Sequence, residues 1–224
     1  MAALDFYFDF ISPYAYLGWT QIHALAERHG REVRPIPALF AAMLKHSGTL
    51  GPAEIPAKRA YIFKDTLRTA RAFGVPFSAP PSHPFNPLLA LRVATVEPSR
   101  AVIDTLFRAV WGGGGGVETE ASVAGALDEA GLPSASLLER ANDPAIKQQL
   151  RDTTDRAIAA GVFGVPTVIA DGGVVNVPGG LERELFWGVD SLPHLERFLA
   201  GGDRVTAADA DAFARLAPSA TRPR

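Results

Sequence analysis

Residues 4–16, Leu-Asp-Phe-Tyr-Phe-Asp-Phe-Ile-Ser-Pro-Tyr-Ala-Tyr, set two incompatible periodicities back to back. Up to Phe10 the pattern has period two. Leu4, Phe6, Phe8 and Phe10 share one face of an extended segment, and Asp5, Tyr7 and Asp9 share the other. From Pro13 the spacing becomes helical, with Tyr14, Leu17, Gly18, Ile22, Leu25, Ala26 and His29 recurring every three to four residues until Gly30. Ser12-Pro13 marks the switch. Serine is a strong N-cap, and proline suits the first helical position because its missing N–H has no intrahelical partner anyway. Ser12 Oγ is therefore expected at a helix N-terminus just past a strand, where free amides and the helix dipole stabilise an anion. Two readings stay open at this point: Ser12 caps the helix only, or it also holds an anion such as a thiolate or phosphate.

Glu32-Val33-Arg34-Pro35-Ile36 reads as a second strand, so the chain opens with a βαβ unit whose strands are parallel. Residues from about 38 to 158 then read as helix and loop: Ala38 to Lys45, Pro56 to Phe73, Pro87 to Thr95, Arg100 to Trp111, Glu120 to Ala130, Ser134 to Ala141 and Pro144 to Ala160. Strand character returns at Val165 to Ala170. Asp171-Gly172-Gly173 turns the chain, and Val174 to Val177 is the expected return strand. A last packed helix runs from Leu192 to Ala200. The fold class that follows is α/β, a thioredoxin-like layer (βαβ then ββα) with an inserted all-helical subdomain. Residues 1–37 and 159–202 form the discontinuous layer, 38–158 the insertion and 203–224 a tail with one loose helix near Ala207 to Leu216.

Composition narrows the chemistry. With 47% apolar and 21% charged residues, the chain is globular, and a net charge of -2 favours neither nucleic acid nor an anionic membrane surface. No apolar run is long enough to span a bilayer, and no secretory signal opens the sequence, so a cytoplasmic location is expected. Cysteine is absent, which excludes disulfides, zinc–thiolate sites and any protein thiol nucleophile. The five histidines, His23, His29, His46, His83 and His194, have no metal-ligand spacing, so no metal is expected. Gly112 to Gly116 follows a helix and lacks a Lys-Ser/Thr ending, which argues against a phosphate loop.

The second informative stretch is Gly161-Val162-Phe163-Gly164-Val165-Pro166-Thr167. A proline opening a strand cannot donate to the ladder. A cis Val165–Pro166 bond would turn the peptide groups of Val165 outward for pairing with an extended ligand; the plainer alternative is an ordinary strand start.

Phe-Asp-Phe-Ile-Ser-Pro-Tyr-Ala-Tyr at 8–16, Asn86 to Arg92, Phe-Gly-Val-Pro-Thr at 163–167 and Phe-Trp-Gly-Val-Asp at 186–190 together resemble one family. It is that of the 2-hydroxychromene-2-carboxylate isomerases and kappa-class glutathione transferases, within the DsbA-like thioredoxin superfamily. The resemblance covers about residues 4–200. It implies glutathione as cofactor, with its sulfur hydrogen-bonded by Ser12 as the catalytic residue. It also implies a peptide backbone laid against Val165 beside Pro166, and a γ-glutamyl end near Trp187, Gly188, Val189 and Asp190. Asp190 pairs with the ammonium in this reading, although an acidic residue there also suits the start of the last helix. The family usually has an arginine after this aspartate, where this chain has Ser191, and Gly-Asn where it has Gly48-Thr49. On the substrate side the resemblance implies Lys45, Phe85 and Asn86, with an aromatic wall from Tyr14, Tyr16, Phe85 and Trp111. Lys58 and Arg59 read as a solvated helix face.

The expected function is a glutathione-dependent isomerase of the 2-hydroxychromene-2-carboxylate type, acting on a chromene carboxylate or aromatic 2-oxo acid by reversible thiolate addition. A homodimer is expected from the resemblance. The alternatives are a kappa-like glutathione transferase and, in a different class, a non-catalytic thioredoxin-fold peptide-binding module.

Overall fold

The computed structural model describes residues 3–172 and 183–217. The expected return strand Val174 to Val177 lies outside them. Strands β1 (Ala3–Phe8) and β2 (Glu32–Pro37) pair in parallel through helix α1 (Pro13–Arg28). β3 (Thr167–Asp171) lies antiparallel to β1 on its other side, and β4 (Arg183–Trp187) lies antiparallel to β3, giving the sheet order β2-β1-β3-β4. This is the expected thioredoxin-like sheet. Pro35 and Pro37 are tolerated because β2 is an edge strand.

The partner of β3 differs from the sequence expectation. Thr167 pairs with Trp187 and Asp171 with Arg183, so Arg-Glu-Leu-Phe-Trp is the observed strand. Its alternation is weak because it too lies at an edge, and only Phe186 is buried in it. β3 itself starts at Thr167, two residues later than expected, which leaves Val165 and Pro166 outside the ladder.

The period-two face of β1 behaves as its pattern requires. Leu4, Phe6, Phe8 and Phe10 are fully buried. Phe6 meets Trp19 of α1 at 5.5 Å between ring centroids, and Phe10 meets Phe107 of α5 (Arg100–Trp111) at 4.7 Å. Each such ring contributes about 1.5–3 kcal/mol by leaving water. The opposite face is mixed. Tyr7 and Ile169 pack with Met43 of α2 (Phe40–Ser47) and Ala157 of α8 (Pro144–Ala159). Asp5, almost fully buried, is paired with both Arg34 and Arg183.

Between β2 and β3 run α2, α3 (Pro56–Phe73), α4 (Leu88–Val96), α5, α6 (Glu120–Glu129), α7 (Ser134–Ala141) and α8. Their ends follow local chemistry: Ser99, Thr119 and Asp143 cap α5, α6 and α8 with side-chain oxygens, and Gly74 closes α3 in the left-handed region. Their apolar faces join the sheet core in one continuous cluster that includes Phe107, Val123, Leu137 and Leu150. After β4, α9 (Leu192–Leu199) returns to the sheet, and α10 (Ala207–Ala214) follows.

Candidate active site

Ser12 sits where the change of periodicity puts it. Its backbone is extended, and its Oγ accepts a hydrogen bond from the Ala15 N–H at 3.1 Å, so it is the N-cap of α1. The same hydroxyl donates to the Val165 carbonyl at 3.2 Å. That bond joins the two informative stretches of the sequence across 153 positions. The Val165–Pro166 bond is cis, as is His83–Pro84. Among the described residues the Val165 N–H has no hydrogen-bond partner.

Two cavities meet at this point. The larger, about 750 Å³, is lined by Val165, Pro166, Trp187, Gly188, Val189 and Asp190, which brings the glutathione residues implied by the resemblance, Ser12 apart, around one space. α1 and α3 close its other sides with Tyr14, Tyr61, Asp65 and Thr69. Local geometry shapes the 187–191 turn. Gly188 has φ +87°, its N–H donates to the Pro166 carbonyl at 2.9 Å, and Ser191 Oγ donates to the Gly188 carbonyl at 2.7 Å. Ser191 therefore secures the turn where the family usually has a cation. Trp187 is half exposed and lies over Gly164, where a Cβ would stand 2.6 Å from Trp187 Nε1. Gly164 is thus needed for the indole to reach the cavity wall.

The second cavity, about 490 Å³, opens on the Ser12 side of α1. Ile11, Leu39, Phe40, Leu44, Ile62, Phe85 and Pro87 make most of its wall, and Ser12, Tyr14, Val165 and Trp187 also line it. Tyr14, Val165 and Trp187 therefore belong to both cavities.

The other substrate residues are placed differently. Lys45 is exposed on α2 and lies outside the lining. Asn86 is exposed, and its Oδ1 accepts from the Leu88 N–H at 3.1 Å at the start of α4. The expected aromatic wall needs correcting. Tyr14 and Phe85 line the cavity, but Tyr16 and Trp111 are buried in the core. Their polar atoms are used internally: Tyr16 Oη donates to the Pro76 carbonyl at 2.7 Å, and Trp111 Nε1 to the Phe10 carbonyl at 2.8 Å.

Three titratable neighbours were not singled out for the site from the sequence. Asp9 is fully buried. Its carboxyl accepts the Ile11 N–H at 3.1 Å and the Phe40 N–H at 2.9 Å, yet burial still pushes its pKa up to about 7. His83 hydrogen-bonds through Nε2 to the Ile11 carbonyl at 3.0 Å, and burial first, with the Arg59 charge, holds its imidazole below the usual range. It is the donor in that bond, since a carbonyl only accepts. Asp65 accepts the Tyr14 hydroxyl at 2.8 Å; burial, then this bond and the Asp65 charge, keep the phenol protonated. In the sequence Asp9 had only its place on a polar strand face, and His83 only a neighbouring proline. Among the described residues no group of three His, Asp or Glu could hold a metal ion, and no helix is long and apolar enough to cross a membrane.

Comparison with known proteins agrees with the fold. The DSBA-like thioredoxin domain family matches residues 3–200. A 2-hydroxychromene-2-carboxylate isomerase of Sphingobium xenophagum is 30% identical over 88% of this chain and 97% of its own length. Glutathione S-transferase kappa 2 of Caenorhabditis elegans is also 30% identical, over 88% of this chain and 91% of its own. Among solved structures, a 2-hydroxychromene-2-carboxylate isomerase superposes with a TM-score of 0.76 at 26% identity, covering 89% of this chain and 95% of that one. The chain belongs to the DSBA-like thioredoxin family and, within it, to the enzyme family of the 2-hydroxychromene-2-carboxylate isomerases.

Proposed function

We propose that the protein is a glutathione-dependent isomerase of the 2-hydroxychromene-2-carboxylate type. The observation that carries this reading is the meeting of two unlike cavities at Tyr14, Val165 and Trp187, with Ser12 on the wall of one of them and bonded to the Val165 carbonyl. The first is the more polar, with Asp65 and Asp190 on its wall, and suits a short peptide; the second is mainly apolar and suits an aromatic ring; Trp187 and Val165, whose N–H is unpaired among the described residues, line both. The chain has no cysteine, so a sulfur nucleophile must arrive with the ligand.

The chemistry follows from the hydroxyl's position. Ser12 has one O–H proton, which it donates to the Val165 carbonyl. Turning that proton to a glutathione sulfur frees the carbonyl to accept a peptide N–H of the ligand, while the Val165 N–H donates to a ligand carbonyl. The hydrogen bond and the start of α1 both favour the thiolate. Bound there, glutathione would supply a thiolate for reversible addition to the conjugated carbon–carbon double bond of an aromatic 2-oxo acid, which would let that bond rotate before elimination returned the thiolate and the isomer. The C. elegans relative favours a second outcome for the same thiolate site: a transferase would release the adduct instead of reversing it.

Calorimetry with glutathione, S-methylglutathione and Ser12→Ala tests the reading. Glutathione is expected to bind with proton release near neutral pH, and the methylated ligand without it. Ser12→Ala is expected to cost about 1 kcal/mol of stability as a lost cap and to abolish the proton release. Glutathione-dependent conversion of the chromene carboxylate then separates isomerase from transferase. Failure of both ligands to bind overturns the reading, and full activity in Ser12→Ala reduces Ser12 to a cap.

A further inference from the structure

An aromatic acid in the apolar cavity needs a cation for its carboxylate, and the cavity wall does not supply one. Its described lining residues include Asp9 and Glu54 but no lysine or arginine, and Lys45 and Arg59 both stand outside that lining. A basic group comes within reach from α3. Ile62 lines the cavity, and helical spacing puts Arg59 on the same face one turn earlier, with Phe63 beside them. The Arg59 guanidinium stands over the Phe63 ring, its Cζ 5.7 Å from the centroid. Phe63 packs edge-on against His83, with 5.2 Å between centroids, and His83 lines the cavity. The Arg59 charge is felt there, since it adds to burial in lowering the His83 pKa. Among the described residues Arg59 makes no ion pair and no side-chain hydrogen bond, so its donors are uncommitted.

We propose that Arg59, held over Phe63 one helical turn from the lining residue Ile62, is the cation that selects aromatic carboxylic acids. This rests on the apolar cavity being the site of the aromatic substrate. The ring lies among Leu39, Ile62 and Phe85, and the carboxylate lies against the guanidinium fork, whose planar donors match it. The stack on Phe63 orients the fork and limits the side-chain entropy lost on binding. Arg59, which the sequence presents as part of a solvated helix face, thereby becomes a specificity-determining residue.

Cinnamate and cinnamamide share a ring and a chain length and differ in charge, and neither requires turnover. Calorimetry on the whole protein is expected to show cinnamate binding about tenfold more tightly than cinnamamide. Arg59→Gln is expected to remove this preference while leaving cinnamamide affinity unchanged, which also shows that the variant is folded. Arg59→Lys keeps part of it, because a point charge remains without the fork. Lys45→Gln keeps all of it. The inference is overturned if the wild type binds neither ligand or shows no preference, if Arg59→Gln retains the preference, or if Lys45→Gln abolishes it. Glutathione calorimetry is expected to be unchanged by Arg59→Gln, so failure of the thiolate reading and failure of this inference appear in different measurements.

Discussion

Asp9 sits fully buried one turn from Ser12, and its pKa near 7 makes it a source of pH-dependent stability. Its folded pKa lies above the unfolded value of 3.8, so the folded protein holds this proton more tightly than the unfolded chain. The contribution is complete below the unfolded pKa and is lost as pH rises through about 7. Urea unfolding at a series of pH values should show wild-type stability falling across this window, at most by about 1.4 kcal/mol per pH unit. Asp9→Asn should give a flatter profile, and parallel profiles would remove Asp9 from the account. The sequence placed Asp9 on the polar face of a strand and said nothing of burial. The reason is distance along the chain, since the Phe40 N–H that closes over it comes from 31 residues away. Ser12 was legible because everything that makes it a cap is local: an extended residue, a following proline and a helical pattern.

At the level of elements, the helices α1 and α3 are joined across the site by the bond from Tyr14 to Asp65. Tyr14 also forms part of both cavity walls, so this contact fixes how far the helical segment stands from the Ser12 turn. Tyr14→Phe deletes a hydrogen bond to a charged group and should cost about 1.5–3 kcal/mol in thermal or denaturant unfolding. Glutathione and cinnamate should both bind the variant more weakly, because one wall residue serves both cavities. A loss confined to stability would show that the helix spacing does not shape the site. The expected bounds of α3, Pro56 to Phe73, coincide with the observed ones because a proline and a glycine stop it chemically. β4 was not legible: an edge strand with one buried residue carries almost no periodic signal.

Across the whole molecule, the helical segment and the sheet share one apolar core. Phe107 of α5 touches Phe8, Phe10, Tyr16 and Trp19, all from the opening βα stretch. Separating the two parts would expose those rings, so they should unfold together. Far-ultraviolet circular dichroism and tryptophan fluorescence should therefore report the same midpoint on heating or in urea. Two separated transitions would mean that the segment melts on its own. The order of elements could be read from pattern and punctuation. The place where the two cavities touch could not, because it is made by residues near positions 12, 165 and 187 that only tertiary packing brings together.

The Ala15 N–H that reaches back to Ser12 marks the two positions a redox dithiol would occupy, 12 and 15, one turn apart at the head of a helix. Here both are silent toward electrons. Exchanging Ser12 for cysteine would supply the first half of that pair and leave no second thiol anywhere in the chain to complete it. Such a protein would attack the disulfide of oxidised glutathione, releasing one glutathione thiolate and keeping the other half as a mixed disulfide that no thiol of its own could resolve. One atom at position 12 thus separates a site that, in the proposed reading, lends a hydroxyl to a passing sulfur from one that holds the sulfur covalently until an outside thiol releases it.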